Sequence, residues 1–166
     1  MSLIDFPAQR NFHPVDLIED IAGLHDWTFE RADDDEITIS TTGSWSDYHI
    51  SFSWLSDLEA LHLSCAFDIK VTGARRNEIM KLLALVNEQM WLGHFDLWGQ
   101  EGVVIFRESL FLAGGAKITS EQIEGLLSNA VEACERYYPA FQYVVWAGKD
   151  AQEALDFVAF ETAGEA

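Results

Sequence analysis

The sequence predicts an α+β fold, an antiparallel β-sheet with helices packed on one face. Its elements come in the order helix, strands, long helix, hairpin, helix, followed by a C-terminal helix. Three observations carry this. Two adjacent segments alternate apolar and polar residues with the period of half-buried strands: Tyr48, Ile50, Phe52 and Trp54, then Leu61, Leu63, Cys65, Phe67 and Ile69. Two longer segments repeat apolar residues at helical spacing, through Ile79, Leu82, Leu83, Val86 and Met90, and through Ile123, Leu126, Leu127, Ala130, Cys134 and Tyr137. Composition supports a packed core, with 49% hydrophobic and 13% aromatic residues and only 3 prolines in 166 residues.

Element by element, "HPVDLIEDIAGLH" opens a short helix with Pro14 at its first position and Leu17, Ile18, Ile21 and Leu24 on one face. Gly23 and His25 mark its end. "WTFER" and "EITIST" read as strands joined by the turn Asp33, Asp34, Asp35. That turn lacks the spaced ligands, loop glycine and terminal Glu of a calcium-binding EF-hand. The hairpin comes next, and pairing Trp54 with Leu61 sets Ser53 opposite His62 and His49 opposite Ala66. The two histidines then share the polar face about four residues apart, ~13 Å at ~3.3 Å per residue, too far to hold one zinc.

After Gly73 the long helix runs to a stop at Gly93. Beside its core stripe, Met80, Ala84 and Trp91 form a second apolar strip, so this helix is either sandwiched inside its own domain or covered by another molecule. "HFDLW" and "VVIFRESLFL", joined by "GQEG", make a second hairpin. "AGGAKITSEQ" has the look of a phosphate loop without its spacing, and Thr119 with Gln122 makes a capping box that explains it locally. The next helix is expected to stop at "YYP", because Pro139 disfavours helical geometry at Tyr138. "AFQYVVWAG" then reads as extended. Asp150 and Glu153 cap a last helix through Ala154, Leu155 and Val158, with "ETAGEA" as a frayed end.

The chain length fits one domain, residues 1–166. "MSLIDFPAQR" is not a signal peptide, and no window nears the ~18 apolar residues of a membrane span, so a cytoplasmic protein without membrane contact is expected. Cys65 and Cys134 each sit in an apolar pattern, as buried reduced thiols do. The net charge is −18, from 28 acidic and 10 basic residues. Such a surface repels nucleic acid, which draws its affinity from Lys and Arg. Residues 61–117 carry six acids and six bases. This neutral middle third is where two copies meet least repulsion, unless it is simply the most buried part.

No constellation for catalysis stands out. "TGSWSD" lacks a nucleophile elbow, and His13, His25, His49, His62 and His94 are scattered singly without metal-ligand spacing. Acid pairs such as Glu121 with Glu124 or Glu132 with Glu135 fall on the solvated side of a helix. The richest stretch, "NEQMWLGHFDLWGQEG", offers His94 and Asp96 on one strand face with Glu101 in the following turn, yet no nucleophile or metal partner accompanies them. Its tryptophans read as core anchors, with Trp91 and Trp98 also candidates for a partner surface.

The strings "EQMWLGHFDLW" and "ACERYYPAFQYVVWAGK" and the ending "FETAGEA" resemble the YbjN-domain family of bacterial sensory transduction regulators, from about Ile18 to the C-terminus. The resemblance implies a fold like that of type III secretion chaperones, which commonly form homodimers and bind client segments without catalysis. Residues 139–166 would be a C-terminal extension packed on that domain. The expectation is a non-catalytic regulatory or chaperone-like protein-binding module, homodimeric, with a protein or peptide partner, no cofactor and no metal. Its partner or dimer surface would include Met80, Ala84, Trp91 and Trp98. The alternative is a small-ligand sensor with a pocket under the aromatic hairpins.

Overall fold

The computed structural model describes residues 10–164. The elements are α1 (Pro14–Leu24), β1 (Thr28–Asp33), β2 (Glu36–Thr42), β3 (Asp47–Leu55), β4 (Ala60–Lys70), α2 (Arg76–Glu88), β5 (His94–Trp98), β6 (Val103–Phe111), α3 (Ser120–Val145) and α4 (Ala151–Gly164). The six strands form one sheet in the order β1-β2-β3-β4-β6-β5, every neighbouring pair antiparallel. Helix α2 carries the chain from β4 past the slot that β6 fills, so β5 becomes the edge strand.

The alternation does its work as expected. Ile37, Ile39, Tyr48, Ile50, Phe52, Leu61, Leu63, Cys65, Phe95, Leu97 and Phe106 are buried on the sheet face that meets the helices. One hydrophobic cluster joins them to residues of all four helices. Trp54 pairs with Leu61 and Ser53 with His62, the register that buries both apolar faces of the hairpin at once. At the start of α1, His13 caps the helix by accepting from the Val15 N–H at 3.1 Å, which leaves its Nε2–H to donate to Asp35 at 2.8 Å. The capping box of α3 is present, with Thr119 and Gln122 each accepting from the other's backbone N–H.

Several expectations are corrected. In α1 Ile18 is buried and Leu17 and Ile21 pack partly buried against the core, but Val15 and Ala22 complete the buried face with Pro14, and Leu24 in the terminal turn is 82% exposed. Helix α2 stops at Glu88, not Gly93. There the Asn87 side chain donates to the Phe95 carbonyl at 2.9 Å and accepts from the Phe95 N–H at 2.8 Å, turning the chain into β5 within a few residues. Trp91 is therefore off the helix, and it anchors no core: it is 97% exposed and Trp98 45%.

Helix α3 does not stop at "YYP" either, and "AFQYVVWAG" is helical as far as Val145. Proline in a helix interior costs ~3 kcal/mol, because it leaves the carbonyl four residues back, that of Glu135, without its N–H partner. Continuing the helix buries Tyr138, Ala140, Phe141 and Val144 against the sheet and α4. At about 1.5 to 3 kcal/mol for each large apolar side chain, that burial outweighs the loss.

Residues 139–145 thus belong to α3, and α4 packs on α3 and α2. Helix α4 also takes in the first four residues of "ETAGEA" expected to fray, and the last two lie outside the described residues, as does most of "MSLIDFPAQR". Among the described residues no helix is long and apolar enough to cross a membrane.

Candidate functional site

A largely apolar groove of about 520 Å³ lies between α3, α4 and the turn joining β2 to β3. Its construction follows from local contacts. The turn closes when the Gly43 N–H donates to the Ser46 carbonyl at 2.8 Å. It is clamped to α3 when the Ser44 N–H donates to Glu135 Oε1 at 2.9 Å. That clamp presents Trp45, 52% exposed, over the groove, and Trp146 at the C-cap of α3, 64% exposed, faces the same space. Pro139 lies on the wall contributed by α3. Tyr143 and Phe157 stack with their centroids 4.7 Å apart and planes within 6°, seating α4 on α3.

Polar groups at the groove are few. Glu135 is half-buried, and the Tyr48 hydroxyl behind it is buried without a well-placed hydrogen-bond partner. Burial first, and then the Glu135 carboxylate, push the Tyr48 pKa far up, so the phenol stays neutral. Arg136 is exposed, its guanidinium 5.4 Å from the centre of the Tyr137 ring.

The four residues expected on one surface lie on two. Met80, 49% exposed, and Ala84 are on the solvent side of α2, with Ala84 lining a hollow of about 620 Å³ against the start of α4. Trp98 is on the far side of the sheet, since Phe95 and Leu97 alternate inward. Trp91 borders a third hollow of about 400 Å³, on that outer side with His62, His94 and Arg107.

His94 and Asp96 do share the outer face, and Arg107 bridges the strands, 3.5 Å from Asp96 and 3.1 Å from His62 Nε2. Burial, then the charges of Arg107 and His94, lower the His62 pKa, and a neutral imidazole is what accepts the Arg107 N–H. Glu101 sits in the β5–β6 turn at the opposite end of β5 from His94, so the three do not converge. Cys65 and Cys134, distant in sequence, meet between β4 and α3 as free buried thiols. The neighbouring Cys65 thiol, then burial, raises the Cys134 pKa strongly. The phosphate-loop look-alike is also occupied from within. Glu59 accepts from the N–H groups of Gly114 and Gly115, both at 3.3 Å, and pairs with Arg10 at 3.0 Å. The Gly114 N–H contributes most to holding the Glu59 carboxyl below its usual range. Among the described residues no three His, Cys, Asp or Glu are placed to hold a metal ion.

The groove was missed in the sequence because Trp45, Trp146 and Phe157 come from three separate elements, and no spacing rule joins them. The only signal was the count of 6 tryptophans, more than the core uses.

Comparison with known proteins places the chain. The family YbjN, described as "Putative bacterial sensory transduction regulator", matches residues 14–143. No curated protein matches the sequence at a significant level. Among solved structures the fold is similar to the crystal structure of YbjN from E. coli, with a TM-score of 0.55 at 10% identity over 73% of this chain and 85% of that one. Weaker likenesses are the ExsC-ExsE complex, with a TM-score of 0.47 at 19% identity over 73% and 90% of the two chains, and the HopA1-SchA chaperone-effector complex, with 0.42 at 14% over 71% and 92%. With a six-stranded antiparallel sheet, helices on one face, and a family match over most of its length, the chain belongs to the YbjN family.

Proposed function

We propose that this protein is a non-catalytic, cytoplasmic regulatory module of one domain that binds a protein segment in the groove between α3, α4 and the β2–β3 turn. The observation that carries the reading is the groove itself: exposed Trp45 and Trp146 face one apolar space, while the core beneath is closed. Grouped exposed aromatics of this kind mark binding surfaces, whereas scattered ones do not. The family description as a regulator and the buried reduced cysteines agree with it.

The test is a photoreactive amino acid in place of Trp146 in the full chain, with the same group at Asp57 as control. A discrete adduct with one protein, formed at position 146 and not at 57, is expected. Adducts that are the same at both positions refute the reading.

The homodimer belongs to the same proposal. Its support is that Met80 and Ala84 lie exposed on α2, and that Trp91 and Trp98 lie exposed on the outer side of the sheet near the two ends of β5. Sedimentation of Met80→Asp and Trp91→Asp identifies which side holds the copies together, and a monomeric parent protein excludes both. A second reading, a small-ligand sensor, is favoured by the groove volume, which falls in the range of small-molecule sites. Its pocket then lies against α3 and α4, and not under the aromatic hairpins as expected from the sequence. Thermal stabilisation by a metabolite, lost in Trp146→Ala, would establish it.

A further inference from the structure

We infer that the groove selects a basic partner segment, one presenting a lysine or arginine side chain flanked by apolar residues. The inference rests on the protein-binding reading above and adds the chemistry of the partner.

Two independent properties of the site point the same way. Exposed Trp45 and Trp146 border the groove, and an indole attracts a cation over its face through its quadrupole while accepting apolar neighbours equally well; the Tyr143–Phe157 pair, stacked face to face, adds apolar surface. The electrostatic setting is strongly negative. The groove wall carries the half-buried Glu135 carboxylate, one oxygen of which is engaged by the Ser44 N–H. Residues 118–166, which supply most of the lining, hold nine acids and two bases, within a chain of net charge −18. A field of that sign concentrates cationic segments at the groove and repels acidic ones.

Arg136 also lines the groove, and it is the one residue there that opposes a cation. Helix α3 sets four acids, Glu121, Glu124, Glu132 and Glu135, against this single base, so the helix is net negative around it. Its position over the Tyr137 ring shows a guanidinium resting on an aromatic surface of this helix. An acidic segment would gain one contact with Arg136 against the repulsion of the whole molecule. A purely apolar segment would desolvate the half-buried Glu135 carboxylate while adding no hydrogen bond to the one it has from the Ser44 N–H.

The probes are two synthetic nine-residue peptides with the same leucines and phenylalanines, one with lysine at every polar position and one with glutamate there. Each is titrated into the full chain and followed by calorimetry and tryptophan fluorescence, at low and at physiological salt. The lysine peptide is expected to bind at least about tenfold more tightly than the glutamate peptide. Its affinity should fall several-fold as salt is raised. Trp45→Ala and Trp146→Ala, both at exposed positions and checked for unchanged circular dichroism, should each weaken it by about tenfold. Leu58→Ala, exposed in the turn between β3 and β4, should not.

Equal or tighter binding of the glutamate peptide, still lost in Trp146→Ala, overturns the basic partner and leaves the protein-binding groove standing. Lysine-peptide binding that survives both tryptophan changes shows attraction to the acidic surface at large, and overturns the inference. Self-association that Trp146→Ala abolishes makes a second copy the occupant and overturns it as well. If neither peptide binds, the inference fails, and the photocrosslink at position 146 decides separately whether the groove binds protein at all.

Discussion

Replacing Gly93 by alanine tests how the chain enters β5. Gly93 has φ +72, in the left-handed region, and an added Cβ would fall on the Phe106 ring and lie 3.0 Å from the Arg107 carbonyl oxygen. Phe106 cannot swing clear, because it is fully buried and packed edge-on against Phe95, 5.4 Å between centroids. Alanine in the left-handed region costs about 1 to 2 kcal/mol. Forcing a methyl group into a packed core adds about 1 to 3 kcal/mol. Gly114→Ala supplies the control, since φ there is +74 and nothing lies within 4 Å of the added Cβ. The gain from a stiffer unfolded chain is common to both changes and cancels. Gly93→Ala should therefore be the less stable of the two by about 1 to 3 kcal/mol. Urea unfolding measures the difference through the midpoint, provided the slope is unchanged. Agreement of the two variants within about 0.5 kcal/mol would refute the claim that Phe106 closes the space at Gly93.

Asn87→Ala removes both side-chain bonds to the Phe95 backbone and should cost about 1 to 3 kcal/mol, with faster amide exchange along β5, while Asn87→Asp keeps the acceptor and recovers part of the loss. Pro139→Ala restores an N–H to the Glu135 carbonyl and should raise the urea midpoint; a lower midpoint would mean that α3 is built around the proline. The Tyr138 pKa is pushed up to about 12, by burial first and then by its hydrogen bond to the Asp68 carboxylate. The unfolded phenol ionises at about 10, so the neutral form stabilises the fold fully below that pH and the contribution is lost as pH rises from about 10 to about 12. Alkaline unfolding of Tyr138→Phe should lack that component, and an identical pH profile would show that Tyr138 does not contribute it.

Much of the fold can be read residue by residue. The β3–β4 register follows from Trp54 and Leu61, since a shift of β4 by one residue against β3 would turn Leu61, Leu63 and Cys65 to solvent. The capping box at Thr119 and Gln122 is legible because its partners are three residues apart. Local rules fail where distant burial competes with them. Periodicity extends α2 through Trp91, whereas the clasp between Asn87 and Phe95 ends it early. The rule for residues before proline ends α3 at Tyr138, whereas Phe141 and Val144 continue it into the core.

By itself, then, the sequence determined the fold class, the paired strands, the buried thiols, the acidic character and the family, because each is written in residues near one another or in the composition. The folded chain alone decided where the surplus aromatics go. Trp91 and Trp98, which look like core, face solvent, and Trp45 comes from about a hundred residues away to join Trp146 and Phe157 at one groove. Sequence patterns report which face of an element is buried, and a groove between elements depends on how those elements pack.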